Sequence, residues 1–128
     1  MFEDCERPAG PFPSVKDFND YFMELLWIGE RPHSLPPGVP DNVPIMFTHA
    51  DLTPSNVIVS PSASGPHTIL AIVDWHQSGW YPAYWEACKS TSNVGPNSEW
   101  GQGLPFVLRP YNECLSVYSY MIKVGIGI

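Results

Sequence analysis

Apolar residues recur at helical spacing near the beginning of the chain. Those that repeat every three or four positions are Phe18, Tyr21, Phe22, Leu25 and Leu26. This period places them on one face of a helix, so the pattern predicts a helix over about residues 15–29. Ser14, three positions before Asp17, is a typical N-cap, and Gly29 and Pro32 end the segment. We expect the aromatic stripe to pack against the core rather than to bind a ligand.

A different pattern, short runs of β-branched and aliphatic residues, predicts two strands in the middle of the chain. Residues 57–59 and 68–73 are such runs, and residues 60–67 between them are rich in Ser, Pro and Gly. Turn-forming residues between two strand-like runs favour an antiparallel hairpin. Asn56 stands before the first strand and Asp74 after the second, so the hairpin is expected to bring both residues to its open end.

Proline and glycine divide the remainder of the chain. Residues 1–13 are predicted to form an extended arm, and residues 31–42, which hold four prolines, a surface linker. A short buried strand is expected over residues 43–47. Residues 91–110 are predicted to form an irregular loop, and the apolar period of residues 111–123 predicts a second helix.

Composition and charge limit the classes of fold and partner. The chain has 128 residues, of which 44% are hydrophobic and 13% aromatic, and this suits one domain of the α+β class. Its net charge of −7 opposes binding to nucleic acid or to an anionic membrane surface. No apolar run approaches the ~20 residues of a membrane span, and no secretory signal pattern is visible. The three widely spaced cysteines indicate neither a disulfide framework nor a zinc site, so we expect a cytoplasmic protein.

The polar residues with the clearest chemical pattern lie around Asp51 and Asn56. An Asp followed five positions later by Asn, and then by a second Asp at the end of a hairpin, is the arrangement used in phosphoryl transfer. There the first carboxylate activates an acceptor hydroxyl, and the Asn and the second Asp are oxygen ligands for Mg²⁺. The same residues could instead form an Asx-turn or a cap. His49 is expected to brace the loop through a backbone hydrogen bond, with acid–base chemistry as the alternative.

The segments FTHADLTPSN and IVDWHQSGWYPAYWEACKS resemble the C-terminal lobe of the aminoglycoside phosphotransferase and choline kinase-like family, especially its fungal members. That family has His-Gly-Asp-x-x-x-x-Asn, then a hydrophobic strand and an Asp-Trp or Asp-Phe pair. The resemblance implies a single domain that is a protein-kinase-like C-terminal lobe, mainly helical with a short antiparallel β-hairpin. It implies Asp51 as catalytic base, Asn56 and Asp74 as Mg²⁺ ligands, and His49 as the residue that braces the loop.

Two features depart from the family pattern. In those kinases an N-terminal lobe holds the nucleotide through a Gly-rich loop, a Lys and a partner Glu, and none of these motifs precedes Asp51. The resemblance therefore implies a truncated chain that is not expected to bind ATP without a second lobe. Ala50 replaces the usual Gly, and His76 stands where family members commonly carry Glu. The second change alters the charge beside the expected metal site.

Three functions remain open. The first is a small-molecule kinase lobe that cannot transfer phosphate alone, and that needs a partner chain or a second copy to cover the surface of the missing lobe. The second is a non-catalytic module that binds a small molecule or a protein. The third is a repurposed enzyme of secondary metabolism that catalyses ATP-independent acid–base chemistry, such as cyclisation or isomerisation, through His49, Asp51 and His76.

An aromatic segment follows Asp74, and residues 75–86 are expected to form a loop at the site. The residues expected to wall a substrate pocket are Trp75, Trp80, Tyr81 and Trp85. Aromatic side chains in a loop can equally pin that loop to the core, so the segment is open to both interpretations.

Overall fold

The computed structural model describes residues 11–25, 39–111 and 116. These residues form three α-helices and two separate two-stranded antiparallel sheets, which confirms the predicted α+β class. The helices are α1 Val15–Leu25, α2 Trp85–Val94 and α3 Glu99–Gly103, and the strands are β1 Ile45–Thr48, β2 Val57–Val59, β3 Ile69–Ile72 and β4 Gly79–Pro82. In the described part of the chain, no helix is both long enough and apolar enough to cross a bilayer.

Helix α1 begins where the sequence predicts. The Oγ of Ser14 accepts the amide hydrogen of Asp17 (3.2 Å) and donates to the carboxylate of the same residue (2.5 Å). This arrangement satisfies a free N–H at the start of a helix. The side chains of Phe18 and Phe22 are buried. The predicted helix is confirmed over the described residues, and its predicted end at Gly29 lies outside them.

Strands β2 and β3 form the predicted hairpin. Their register pairs Val57 with Ile72, Ile58 with Ala71 and Val59 with Ile69, with an irregularity between Ile58 and Val59. Two further backbone hydrogen bonds extend the pairing at either end. The amide of Ser60 donates to the carbonyl of Thr68 (2.8 Å), and the amide of Val73 donates to the carbonyl of Asn56 (2.9 Å). The second bond places Asn56 beside the residue that precedes Asp74.

Strands β1 and β4 form a second sheet that the sequence pattern did not predict. The expectation of a loop over residues 75–86 is wrong for residues 79–82, which pair with β1 from Ile45 opposite Pro82 to Thr48 opposite Gly79. Aromatic residues favour strands, and Pro82 occupies a strand end, where a missing N–H interrupts no ladder. The expected buried strand over residues 43–47 is also wrong in its burial, because Ile45, Met46 and Phe47 are exposed on this two-stranded sheet.

The core is an aromatic cluster around Trp85, at the start of α2. The indole of Trp85 packs edge-to-face against Phe18 and Phe22, both at 5.2 Å between ring centroids, and stacks on Tyr81 at 5.6 Å. Such contacts add to the stabilisation from burying aromatic area. Trp85 is 0% exposed and lies in the core, which is the arrangement expected where the aromatic segment is pinned to the core. Through these contacts Trp85 packs α2 against both α1 and β4.

Residues 91–110 are more regular than predicted. Helix α2 continues to Val94, and α3 and a 3-10 turn over Leu104–Phe106 follow it, so the expectation of one irregular loop is wrong for much of this segment. The Oγ of Ser98 accepts the amide hydrogen of Gly101 (3.0 Å) and caps α3. Of the predicted helix over residues 111–123, all but residues 111 and 116 lies outside the described residues, as do residues 1–10 of the arm and 31–38 of the linker.

Both sheets expose apolar side chains. The exposed set comprises Ile45, Met46, Phe47, Ile58, Val59, Ile69, Leu70, Ile72, Val73, Trp75 and Trp80. Residues 55–73, which span the hairpin, include no Asp, Glu, Lys or Arg. A two-stranded sheet is marginally stable by itself in water. Strand edges that stay exposed usually carry charged residues, which prevent pairing with another chain. The hairpin therefore exposes an apolar surface that carries no charged side chain.

Candidate active site around Asp51

The Asp51 carboxylate is held by two asparagine side chains. Asn56 donates through Nδ2 to Asp51 Oδ2 (3.2 Å) and to the Asp51 backbone carbonyl (2.8 Å). Asn93, on α2, donates through Nδ2 to Asp51 Oδ1 (3.1 Å). Each carboxylate oxygen thus has one amide donor, and each retains a lone pair for a further hydrogen bond. The half-buried carboxylate is oriented and still able to accept a proton from a ligand.

The imidazole of His49 connects the Asp51 loop to the end of the hairpin. The amide of Asp51 donates to His49 Nδ1 (3.2 Å), so that nitrogen is the acceptor and the ring proton lies on Nε2. Nε2 then donates to the carbonyl oxygen of Val73 (2.8 Å). His49 is 4% exposed, and the centroid of its ring lies 4.6 Å from that of Trp75 in an edge-to-face arrangement. Both ring nitrogens are engaged with the backbone, as a bracing role requires.

Ala50, between His49 and Asp51, adopts an unusual backbone conformation. Its φ of 64° lies in the left-handed region, which costs a residue with a Cβ roughly 1–2 kcal/mol. Asp74 has the same φ of 64°. Glycine, which the resembling family carries at the Ala50 position, would adopt this angle without that cost. Backbone strain on both sides of the site indicates that the surrounding contacts hold these two turns in place.

Glu86, in the first turn of α2, supplies those contacts on the Asp51 side. Its Oε2 accepts the amide hydrogens of His49 (2.6 Å) and Ala50 (3.3 Å). Hydrogen bonds to an ionised acceptor are stronger than neutral ones, so one carboxylate fixes two consecutive peptide groups. Sequence reasoning missed this role, because its partners lie 36 and 37 residues away along the chain.

Lys89 is a buried residue of α2. Its side chain is 2% exposed, and Nζ donates to Gln77 Oε1 at 2.6 Å. Burial lowers the pKa of Lys89, while the negative charges of Asp51 and Glu86 act in the opposite direction. The Nζ–Gln77 bond joins α2 to the segment that follows Asp74.

Asp74 follows Val73 and so lies at the open end of the hairpin, next to Asn56. Its Oδ1 is 2.5 Å from Nδ1 of His76, and both side chains are largely exposed. The Nδ2 of Asn56 is directed at Asp51, so the other terminal atom of that amide, Oδ1, remains as an oxygen donor. An amide oxygen and a carboxylate on neighbouring strand ends are the donor types that Mg²⁺ prefers, together with water. The residues present therefore fit the metal that the sequence pattern implies.

The four aromatic residues expected to wall one pocket fall into two pairs, because Trp75 and Trp80 both pack against Phe47 and Tyr81 stacks on Trp85. Trp75 stays at the site, half exposed beside His49, with its Nε1 donating to the carbonyl of Ile72 (2.7 Å). Trp80 and Tyr81 instead line a cavity of about 330 Å³ between α1 and β4.

That cavity runs along β4 from Gly79, which pairs with Thr48, to Pro82, which pairs with Ile45. Trp85 is in the core, as described above.

The profile of the phosphotransferase enzyme family matches residues 16–109, which include the Asp51 loop, the hairpin, Asp74 and α2. No curated protein and no solved structure matches the chain significantly. Because the match spans well over half of the 128 residues, the chain belongs to the phosphotransferase enzyme family.

Proposed function

We propose that this chain carries the acceptor-activating and metal-binding residues of a small-molecule phosphotransferase. The observation that carries the proposal is the pair of bonds from Asn56 Nδ2 to Asp51, because one side chain thereby orients the candidate base and keeps its own amide oxygen as a candidate metal ligand, at the hairpin end that leads into Asp74. Membership of the phosphotransferase enzyme family supports the reaction class. The acceptor is a hydroxyl or amine of a small molecule.

Asp51 is the proposed catalytic base. An acceptor hydroxyl would donate to a free lone pair of the Asp51 carboxylate, which holds the nucleophilic oxygen in line with the phosphoryl group. The carboxylate takes the proton as the new P–O bond forms and the P–O bond to the leaving nucleoside diphosphate breaks. The bonds from Asn56 and Asn93 fix the plane of the carboxylate before substrate arrives. Positioning of this kind contributes much of the rate enhancement in phosphoryl transfer.

Asn56 Oδ1 and the Asp74 carboxylate are the proposed Mg²⁺ ligands. When bound between these two residues, Mg²⁺ would supply positive charge that offsets the negative charge of the phosphate groups. Two protein ligands suit this ion, since it usually retains several waters and phosphate oxygens in its octahedral shell. His76 Nδ1 contacts only one of the Asp74 oxygens, so the other is available as a ligand.

The groups that hold a nucleotide are proposed to come from outside residues 11–111. A Gly-rich phosphate loop and a phosphate-binding Lys are not found in this segment, and removing a single charge-stabilising donor commonly costs ~3 kcal/mol of barrier. The described residues alone are therefore proposed to transfer phosphate poorly. The uncharged, exposed hairpin is proposed to be covered by the polypeptide that supplies these groups, or by a second copy of the chain.

The proposal is tested first by binding and then by turnover. In ¹⁵N-labelled protein, Mg²⁺ with ATP should shift the side-chain amide resonances of Asn56, and Asp74→Ala should abolish that shift, whereas Asn97→Ala in an exposed loop should leave it intact. In a transfer assay that includes the nucleotide-binding polypeptide and a panel of hydroxyl and amine acceptors, Asp51→Asn should lower kcat by at least 100-fold with the KM for nucleotide unchanged. No Mg²⁺-dependent shift, or full turnover by Asp51→Asn, would refute the proposal.

The pairing of Asp74 with His76 supports a second candidate function. An exposed carboxylate and imidazole 2.5 Å apart, close to Trp75, form a possible acid–base pair for ATP-independent chemistry on an apolar substrate. This function predicts substrate turnover without nucleotide, lost in His76→Gln. Phosphoryl transfer should survive the same substitution, because His76 has no role in the proposed transfer. A non-catalytic binding module would show binding but no turnover with any substrate, and Asp51→Asn would leave its binding intact.

A further inference from the structure

We infer that Asn93 is a positioning residue for Asp51, and that α2 is the element that sets the orientation of the proposed base. This inference rests on the proposed function, in which Asp51 accepts the proton of the acceptor. Asn93 lies 42 residues beyond Asp51, outside both of the sequence segments that suggest the chemistry.

One face of α2 holds the whole Asp51 loop. Residues 86 and 93 are seven positions apart, which is two helical turns and about 10 Å along the axis, so they project from the same side of the helix. At one end Glu86 Oε2 accepts the amides of His49 and Ala50, and at the other Asn93 Nδ2 donates to Asp51 Oδ1 at 3.1 Å. The loop backbone and the carboxylate are thus fixed by the same rigid element.

Asn93 restrains the Asp51 carboxylate at the oxygen that Asn56 does not contact. Asn56 Nδ2 bonds to Asp51 Oδ2 and to the Asp51 backbone carbonyl, and so constrains one carboxylate oxygen. Rotation about the Cβ–Cγ bond of Asp51 moves both carboxylate oxygens together, and such sp³–sp² torsions are soft, so one 3.2 Å bond at Oδ2 restrains this rotation only loosely. The donor from Asn93 restricts that rotation. It also helps to fix the position of the Asn56 side chain, because Asn56 donates to the same carboxylate.

A spectroscopic measurement tests the contact without requiring turnover. The side-chain amide resonances of Asn56 and Asn93 are assigned from the peaks missing in Asn56→Ala and Asn93→Ala. We expect Asn93→Ala to shift the Asn56 side-chain pair, and Asp51→Ala to shift both pairs. Asn97→Ala is the matched control, because this exposed asparagine side chain makes no hydrogen bond within the described part of the chain, and it should move neither pair. An Asn56 pair that keeps its wild-type position in Asn93→Ala would overturn the inference.

Kinetics then separate positioning from mere packing. In the transfer assay with the nucleotide-binding polypeptide present, Asn93→Ala should lower kcat on the order of tenfold, with the KM for nucleotide within about twofold of wild type. Asn93→Gln keeps an amide donor and should recover part of the loss. If kcat for Asn93→Ala equals that for Asn97→Ala, the positioning role of Asn93 is refuted, while the proposed role of Asp51 as the base still stands. Unchanged turnover by Asp51→Asn overturns the proposed function itself.

Discussion

The imidazole of His49 donates through Nε2 to the carbonyl oxygen of Val73 at 2.8 Å, and this bond ties the loop that carries Asp51 to the residue before Asp74. The two aspartates are 23 residues apart in sequence and belong to different turns, each with one residue at a φ of 64°. A buried ring that bonds to both turns fixes their separation. Site geometry here therefore depends on a side chain that need not touch the substrate.

Replacing the imidazole of His49 should lower the stability of the protein and also disturb the geometry of the site. In His49→Ala the amide of Asp51 and the carbonyl of Val73 lose their partner, and leaving a buried polar group unsatisfied costs about 1–3 kcal/mol. We expect a loss of that size in the free energy of urea unfolding. His67→Ala, at an exposed turn, is the control and should change it by less than about 0.5 kcal/mol. Equal effects of the two substitutions would contradict the bracing role.

Glu86 should contribute through charge as well as through hydrogen bonding. Its Oε2 accepts the amides of His49 and Ala50, and a hydrogen bond to a charged group is worth about 1.5–3 kcal/mol. Glu86→Ala should cost at least this much, and Glu86→Gln, which retains a neutral acceptor, should cost less. Chemical denaturation measures both, with the exposed Glu99→Gln as a control for loss of charge. A stability of Glu86→Ala equal to that of wild type would show that the acceptor is dispensable.

Local patterns predicted local structure well. The hairpin was accessible from sequence because its strands are separated by a single run of turn formers, so alternation and turn chemistry alone specify the pairing. The start of α1 followed from Ser14 and the apolar period in the same way. Because the hairpin could be predicted, the sequence alone places both expected Mg²⁺ ligands, Asn56 and Asp74, at its open end.

Contacts between distant segments could not be predicted from the same information. The pairing of β1 with β4, and the contacts of Glu86 and Asn93 with the Asp51 loop, join residues more than 30 positions apart, and no short-range period specifies them. Trp85 shows the same limit. An aromatic residue in a polar, glycine-containing segment is compatible with a pocket wall or with the core, and only the docking of α1 against α2 determines which.

Lys89 should make stability depend on pH in the alkaline range. Burial lowers its pKa below the usual 10.5, so between the two values the unfolded chain binds more protons than the folded one, and stability rises with pH. In Lys89→Met this contribution is absent. The unfolding free energy of wild type relative to Lys89→Met should therefore increase as pH rises toward 10.5.

Urea unfolding at a series of pH values from neutral to 10.5 measures this difference. Lys16→Met is the control, because Lys16 is exposed and its bond to Asp20 raises its pKa instead of lowering it. No alkaline gain in stability is expected from Lys16 below 10.5. A wild-type curve parallel to that of Lys89→Met throughout this range would contradict the buried position of the Lys89 charge.

Two glycines of α3 offer a matched test of how this helix packs against the end of α2. A Cβ built on Gly101 would lie 2.4 Å from the carbonyl oxygen of Gly95 and 3.0 Å from backbone atoms of Pro96, so Gly101→Ala forces the backbones apart. Overpacking of this kind typically costs 1–3 kcal/mol. A Cβ on Gly103 meets nothing within 4 Å, and its φ of −78° is ordinary for alanine. Gly103→Ala should therefore gain about 0.4–1 kcal/mol by restricting the unfolded chain.

Urea unfolding of the two variants decides between close packing and a loose contact, since equal stabilities would mean that α3 is not seated on the Gly95–Pro96 turn. The same displacement should reach the site, because Gly95 follows Asn93 by two residues and accepts a backbone bond from Ser98. In Gly101→Ala, the side-chain amide resonances of Asn93 should shift, while in Gly103→Ala they should remain at their wild-type positions. Stability and the Asn93 signal are thus predicted to change together, because the end of α2 carries both the α3 contact and the donor to Asp51.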